Sequence, residues 1–120
     1  MKITTFNPKI VTKDAQALVD LFEKLGFEKR HEVTLVDGVN ITNYRMSDPD
    51  GNKVDISDYE NLPQDVMAIR MNVDNFEEAY DLLIANGFKQ VKDIVETRSS
   101  KTVMMAAPSG FMIDLCLHIK

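Results

Sequence analysis

The chain has 120 residues, of which 44% are hydrophobic and 28% charged, and its formal net charge is −5. These are ordinary values for one globular domain or two half-domains, so a core can form without disulfides, which a single cysteine cannot make within the chain. The acidic balance argues against a nucleic-acid partner, which usually meets a basic face. No apolar run reaches signal-peptide or membrane-spanning length, so we expect a cytoplasmic protein with no membrane partner.

The first half of the chain predicts one helix among strands. Asp14 can accept hydrogen bonds from the first turn of a helix over Asp14–Leu25, and Gly26 suits the left-handed conformation in which many helices end. Alternating polar and apolar residues predict four strands, over Ile3–Val11, Phe27–Val36, Val39–Ser47 and Lys53–Ser57.

The second half predicts the same order of elements. A helix over Asn75–Ala85 ends at Gly87, and Asp74 with Glu77 has the spacing of a capping box at its start. Alternation again predicts four strands, over Val66–Val73, Phe88–Thr97, Lys101–Ala106 and Phe111–Ile119.

Two landmarks therefore recur in the same order, which indicates an internal repeat. Each helix ends in Gly-Phe, and the turn before Asp55 matches the turn before Asp114, with proline and glycine at the same places. We predict a first βαβββ module over residues 1–57, a linker over 58–65 and a second module over 66–120. Gly26 should correspond to Gly87, and Asp55 to Asp114.

The helix ending in Leu-Gly-Phe and the Asp-Pro-Asp-Gly-Asn turn leading into Val-Asp-Ile resemble the glyoxalase/bleomycin-resistance family of the vicinal oxygen chelate superfamily. The resemblance covers nearly the whole chain. It implies an α+β fold in which two tandem βαβββ units form a curved, half-open mixed β-sheet cup with helices outside. It also implies a homodimer.

Metal-dependent enzymes of this family hold one divalent metal in the cup, with His or Gln from the first strand and Glu from the last strand of each half. By this resemblance the ligand positions here are Asn7, Asp55, Ala68 and Asp114. Ala68 offers no donor atom, and zinc and nickel favour nitrogen or sulfur ligands. We expect no cofactor, although two carboxylates and an amide remain compatible with a weakly held divalent metal.

Strand alternation also predicts an apolar and a polar face for each sheet. The polar face either meets water or lines a binding cup. Lys9 and Arg70 either pair with Asp55 and Asp114 or receive an anionic ligand group. His118 is a surface residue or a general base, and Cys116 is interpreted as an inert thiol. Our candidate ligand-binding residues are Asn7, Lys9, Asp55, Arg70, Asn72, Met112, Asp114 and His118.

The apolar positions predict the core. Helical spacing and strand alternation predict that eight of them are buried, namely Leu18, Phe22, Leu25, Ile69, Met71, Leu83, Ile113 and Leu115. Either Met104 or Met105 should face the cup.

Three functions remain open. The first is a metal-free or metal-poor binder of an unknown small organic molecule, resembling the antibiotic-sequestering branch of the family. The second is an enzyme, either a divalent-metal-dependent lyase, isomerase or dioxygenase of the superfamily or a metal-free one. The third is a regulatory module without a pocket.

Overall fold

The computed structural model describes residues 1–36, 40–59 and 62–118. Val39 and Ile119, which we predicted to lie in strands, fall outside these ranges. The fold is α+β, as predicted. Its elements are β1 (Ile3–Thr12), α1 (Ala15–Lys24), β2 (Glu28–Val36), β3 (Asn40–Ser47), β4 (Lys53–Asp58), β5 (Val66–Val73), α2 (Phe76–Ala85), β6 (Lys89–Gln90), β7 (Val95–Glu96), β8 (Ser100–Ala106) and β9 (Met112–His118). Among the described residues, no helix is long and apolar enough to cross a membrane.

The chain forms two compact units, which we call the first unit (Asn7–Met67) and the second unit (Met1–Phe6 with Ala68–Lys120). The modules predicted from the sequence differ from these units at the N terminus. The prediction placed residues 1–6 in the first module, whereas they belong to the second unit. The ten-residue strand β1 accounts for the difference. Its later residues, Lys9–Thr12, pair with β4 in the first unit, whereas its first residues belong to the second unit.

The first unit contains the strands in the order β2-β3-β4-β1. Strand β1 runs parallel to β4, and the other neighbours are antiparallel. Helix α1 packs against the sheet, and their side chains form one apolar cluster. The buried members of this cluster are Ala15, Val19, Met46, Val54 and Ile56.

The second unit repeats this arrangement, with β5 parallel to β9 and β8 antiparallel to β9. Its core is a separate cluster of Met71, Val73, Phe76, Ala79, Val103, Met105, Ile113 and Leu115. The registers also correspond, since Lys9 lies opposite Asp55 in the first unit and Arg70 lies opposite Asp114 in the second. Asp55 and Asp114 therefore occupy equivalent positions, as do Gly26 and Gly87 at the helix ends.

The outer strand of the second unit departs from the prediction of one strand over Phe88–Thr97. Gln90 pairs with Met105 and Val95 pairs with Thr102, so the four residues 91–94 lie across from only two residues of β8. Two extra residues cannot join a regular ladder, and the strand divides into β6 and β7 at this bulge. Alternation of residue types does not reveal such a mismatch, because the mismatch depends on the partner strand.

The predicted capping box of Asp74 and Glu77 does not form at the start of α2, although the helix begins at its N-cap Asn75, as predicted. Asn75, rather than Asp74, is the N-cap, and its Oδ1 accepts a hydrogen bond of 3.1 Å from the backbone N–H of Glu78. Asp74 instead accepts a hydrogen bond from the backbone N–H of Lys2 at 2.6 Å. Asp74 is thus held by Lys2, and Asn75 caps the helix instead.

Both helices end in a Schellman motif. In α1 the N–H of Phe27 donates to the carbonyl of Phe22 at 2.9 Å, and the N–H of Gly26 donates to the carbonyl of Glu23 at 3.1 Å. Phe27 packs on Phe22 with the ring centroids 5.3 Å apart. Leu25, which we predicted to be buried, is 61% exposed and is the C-cap. The prediction was wrong because Phe27, beyond the turn, makes the apolar contact of this motif.

The remaining core predictions hold to different degrees. Met71, Ile113 and Leu115 are buried, as predicted. Leu18 and Phe22 are half-buried and pack against the core of the first unit. Ile69 and Leu83 do the same in the second unit. Met105 belongs to the core, which leaves Met104 on the opposite face of β8.

Candidate functional site

In the first unit, Asn7 and Asp55 meet on the sheet face opposite α1. Both are buried, at 4% and 6% exposure. The side-chain amide of Asn7 donates one hydrogen bond to Asp55 Oδ1 at 3.1 Å and another to the carbonyl of Pro8 at 2.9 Å. A buried carboxylate requires such donors, because burial without them is costly. The position of β1 beside β4 thus joins two residues that are 48 apart in the sequence.

These two contacts fix the orientation of the Asn7 amide. Both partners are acceptors, so the nitrogen faces them when no cation lies between these groups, because exchanging nitrogen and oxygen would then place three acceptors together. The oxygen then points elsewhere, and Oδ1 of Asn7 is buried without a hydrogen-bond partner among the described residues. In this position Asn7 presents a donor, and not a ligand oxygen, to Asp55.

Arg45 is the cation for which a contact with Asp55 is observed, and the sequence analysis missed it. It lies on β3 directly opposite Asp55, and its Nε is 3.9 Å from Asp55 Oδ2. This distance is longer than a charge-assisted hydrogen bond and lies within the range of an ion pair. The Arg45 side chain is 35% exposed, whereas the Asp55 side chain is nearly covered. Pairing of β3 with β4 is the signal that would have identified Arg45.

Two further polar residues continue this face of the first unit. Ser57 is buried and its hydroxyl donates to Oδ1 of Asn43, on the adjacent strand β3. Lys9, one of our candidate ligand-binding residues, is half-buried and lies opposite Asp55 on β1.

The equivalent face of the second unit carries three buried polar residues, Arg70, Asn72 and Asp114. Arg70 lies opposite Asp114, and Asn72 lies opposite Cys116. The Oδ1 atom of Asn72 is buried without a hydrogen-bond partner among the described residues. Ala68, at the place equivalent to Asn7, is buried as well.

The same face of the second unit is otherwise more apolar. Met104 and Met112 are half-buried, and they lie opposite Asp114 and Ala68 respectively. Cys116 is buried, with its Sγ 3.5 Å from the carbonyl of Asp114. His118, the last of our candidate ligand-binding residues, is exposed and lies opposite Ser100 near the end of β9.

We predicted that the polar faces either meet water or line a binding cup. A face turned to water would leave its polar side chains exposed. Asn7, Asp55, Arg70, Asn72 and Asp114 are instead all buried. The central polar residues of both faces are thus enclosed, whereas His118 lies at the margin.

The aspartate environments fit a tightly held divalent metal poorly. Asp55 faces an amide nitrogen and a guanidinium, both of which repel a metal cation. At the equivalent place in the second unit Ala68 has no donor atom. Within the described residues, no group of three or more His, Cys, Asp or Glu side chains is arranged to hold a metal ion.

Three described side chains away from these positions have shifted pKa values. Burial raises the pKa of the Tyr44 phenol, and the nearby carboxylates of Glu32 and Asp58 raise it further. The hydrogen bond from the side chain of Asn52 lowers the pKa of Asp48. The hydrogen bond to Glu77 raises the pKa of Lys101.

The fold is similar to several solved structures. Methylmalonyl-CoA epimerase from Mycobacterium tuberculosis superposes with a TM-score of 0.75 at 13% identity, over 98% of this chain and 90% of that chain. A superfamily member from Vibrio splendidus 12B01 gives 0.64 at 17% identity, over 97% and 99%. A mutant of glyoxalase I from Zea mays gives 0.70 at 18% identity, over 97% of this chain but 43% of that one. At these identities the likeness concerns the fold alone.

Sequence comparison gives the family. No curated protein matches this chain closely enough to count as a relative. The model of one family matches residues 3–115, which is nearly the whole chain. The repeated units, the equivalent aspartates and this match agree with the resemblance drawn from the two landmarks. The chain belongs to the Glyoxalase/Bleomycin resistance protein/Dioxygenase superfamily.

Proposed function

We propose that this protein binds a small organic molecule on its enclosed polar sheet faces and does so without a tightly held metal. The observation that carries the proposal is the orientation of Asn7. Its nitrogen is turned to Asp55 at 3.1 Å, and Arg45 lies on the other carboxylate oxygen. The negative charge that a metal would need is thereby engaged by a hydrogen-bond donor and a cation.

The character of the faces supports binding of an organic molecule. Small-molecule sites usually combine apolar surface with a few placed polar groups. The second unit offers this combination, with half-buried Met104 and Met112 beside the polar residues Arg70 and Asp114. Methionine adapts its shape to varied apolar ligands because its side chain is flexible and polarisable.

Calorimetric titration with zinc, nickel, manganese and ferrous iron tests the metal-free part of the proposal. We expect no stoichiometric binding tighter than about micromolar for any of the four ions. Submicromolar binding that Asp55→Ala or Asp114→Ala abolishes would overturn the proposal. Asp50→Ala is the matched control, because Asp50 is an exposed carboxylate in the turn before β4.

The binding part is tested by titrating a fragment collection while backbone amide chemical shifts are recorded. We expect the shifts that change to cluster on β1, β3, β4, β5, β8 and β9, whose residues form the polar faces. Changes confined to the outer faces of α1 and α2 would contradict the proposal.

A metal-dependent enzyme is the second candidate. It is favoured by the burial of both Asp55 and Asp114, the two carboxylates at the ligand positions that the family resemblance indicates. Enzymes with this fold, methylmalonyl-CoA epimerase and glyoxalase I, are among the similar structures. The metal titration separates this candidate from the first, since only the enzyme requires the ion.

A further inference from the structure

We infer that the sheet face of the first unit selects an anionic group, a carboxylate or a phosphate, on the bound molecule. The inference rests on the proposed binding function and adds the chemical class of the ligand. Its basis is the positive charge of this face, which contrasts with the negative net charge of the whole chain.

Strand register defines the face. Lys9, Asp55 and Arg45 lie side by side on β1, β4 and β3. The next row of side chains on the same face begins with Lys53, two residues before Asp55 on β4. Lys53 lies opposite Ser47 on β3, and Ser47 lies opposite Glu28 on β2. Arg30 joins the same face, because its Nε donates to the hydroxyl of Ser47 at 3.0 Å. The charged side chains so placed, which we call the cationic face, are Lys9, Glu28, Arg30, Arg45, Lys53 and Asp55.

The cationic face has an excess of positive charge. Four cations and two carboxylates give a net charge of +2, whereas the whole chain has −5. Glu28 lies 3.4 Å from Arg30 at the exposed margin, and Asp55 is the buried carboxylate at the centre. Such a local excess attracts anions, and the attraction is stronger where water is partly excluded.

The internal repeat supplies a comparison within the same molecule. Met104 takes the place of Arg45, Met112 takes the place of Lys53, and Ala68 takes the place of Asn7. The central Lys9–Asp55 pair, by contrast, has a charged counterpart in Arg70–Asp114. Lys89, opposite Ala106, takes the place of Glu28, so the second unit keeps a cation at the margin of its face. The same sheet therefore forms with methionines in the places of Arg45 and Lys53.

Arg45 is suited to receive the anion. Its guanidinium is planar and presents several N–H donors in a fork that matches carboxylate and phosphate oxygens. Its Nε lies 3.9 Å from Asp55 Oδ2, and about a third of its side chain is exposed. An incoming anion can therefore approach Arg45 from the solvent side while Asp55 keeps its hydrogen bond from Asn7.

Three matched probes test the inference, namely benzoate, phenyl phosphate and benzamide. They share an aromatic ring and differ in the charge of the attached group. Binding is followed by backbone amide shifts at low and at high salt. We expect the anions to bind at least about tenfold more tightly than neutral benzamide, with an advantage that salt reduces. The two anions distinguish a carboxylate site from a phosphate site.

Substitutions assign the effect to the cationic face. Arg45→Met installs the residue of the second unit and should lower anion affinity about tenfold while benzamide binding stays unchanged. Arg45→Lys should retain part of the preference because it keeps the charge. Lys13→Met removes an exposed cation from the same unit outside the face, and it should leave all three probes unaffected.

The outcomes separate this inference from the proposed function. If benzamide binds as tightly as benzoate, or if Arg45→Met leaves the preference intact, the anion inference fails while the binding proposal stands. If neither these probes nor the fragment collection shifts the amides of the polar faces at millimolar concentration, both fail. The fold of Arg45→Met is checked by its amide shifts without ligand. Away from residue 45 they should match the shifts of the unliganded wild type.

Discussion

At the scale of single residues, the contacts of Asp55 show how a buried charge is accommodated. One oxygen receives the Asn7 amide and the other faces the Arg45 guanidinium. Removing one partner of such a group usually destabilises a protein more than replacing the whole set, because the remaining charge is left without compensation. Single substitutions of Asn7 or Arg45 should therefore destabilise the protein more than a joint apolar replacement of Asn7, Arg45 and Asp55.

Asp48 gives a pH-dependent prediction. Its carboxylate accepts hydrogen bonds from the N–H of Asp50, the N–H of Asn52 and the side chain of Asn52, and the last of these does most to lower its pKa below the ordinary 3.8. A depressed folded-state pKa contributes stability above the unfolded value, and the contribution is lost as the pH falls through the folded value. We expect the stability advantage of wild type over Asp48→Ala to disappear below pH 3.8.

Urea unfolding of both proteins between about pH 2 and pH 6 measures this difference. An advantage that is independent of pH would contradict the prediction. The equivalent turn of the second unit has Ala107 in the place of Asp48, and the carbonyl of Ala107 accepts the turn hydrogen bond from the N–H of Gly110. The turn itself therefore forms without a carboxylate at this position.

At the scale of elements, the ends of the two helices determine which apolar residues reach the core. The chain reverses at a glycine with positive φ, +103° at Gly26 and +89° at Gly87. The phenylalanine after each glycine then packs against its own core. This arrangement places the apolar contact beyond the helix and leaves the C-cap residue outside.

Phe27→Ala and Leu25→Ala test this assignment. We expect Phe27→Ala to lower the free energy of unfolding by about 2–4 kcal/mol, because it removes the contact with Phe22. Leu25→Ala should cost less than about 1 kcal/mol, because Leu25 is largely exposed. Chemical denaturation measures both values, and equal losses would show that the helix end is assigned wrongly.

The two helix-end glycines should differ in their tolerance of alanine. A Cβ at Gly26 meets nothing within 4 Å, whereas a Cβ at Gly87 would lie 2.9 Å from Cγ of Pro108. Both substitutions carry the cost of a left-handed backbone, about 1–2 kcal/mol. Gly87→Ala should cost about 1 kcal/mol more than Gly26→Ala, because the proline ring is stiff.

Thermal or urea unfolding of the two variants measures the difference. Adding Pro108→Ala to Gly87→Ala should remove the excess cost, after subtraction of the effect of Pro108→Ala alone. If the extra cost of Gly87→Ala persists in the double variant, the contact with Pro108 is not its cause.

At the scale of the whole molecule, assembly is the remaining prediction. We expect a homodimer, because the family resemblance implies one. Several large apolar side chains are more than half exposed in the single chain, including Phe6 and Met67. Such side chains are candidates for burial between protein surfaces.

Light scattering at working concentration should give twice the 13.6 kDa of the chain. A monomer under these conditions would remove the inference. Substitution of an exposed apolar residue by a charged one, Phe6→Glu, tests whether these side chains take part. A monomeric variant that remains folded would support their role.

The sequence by itself determined the repeat, the two helices, the turns and the positions of Asp55 and Asp114. These features follow from local rules, namely the two-residue period of strands, the N-cap residues and the glycines that accept positive φ. The family resemblance depended on the same local landmarks. It was confirmed by the match over residues 3–115.

Only the tertiary structure decided which residues meet. It placed Arg45 beside Asp55, divided the outer strand of the second unit into β6 and β7, and assigned residues 1–6 to the second unit. Each of these outcomes depends on the pairing and register of strands that are distant in the sequence. Alternation shows which face a side chain takes, but the neighbour on the next strand is fixed only when the sheet forms.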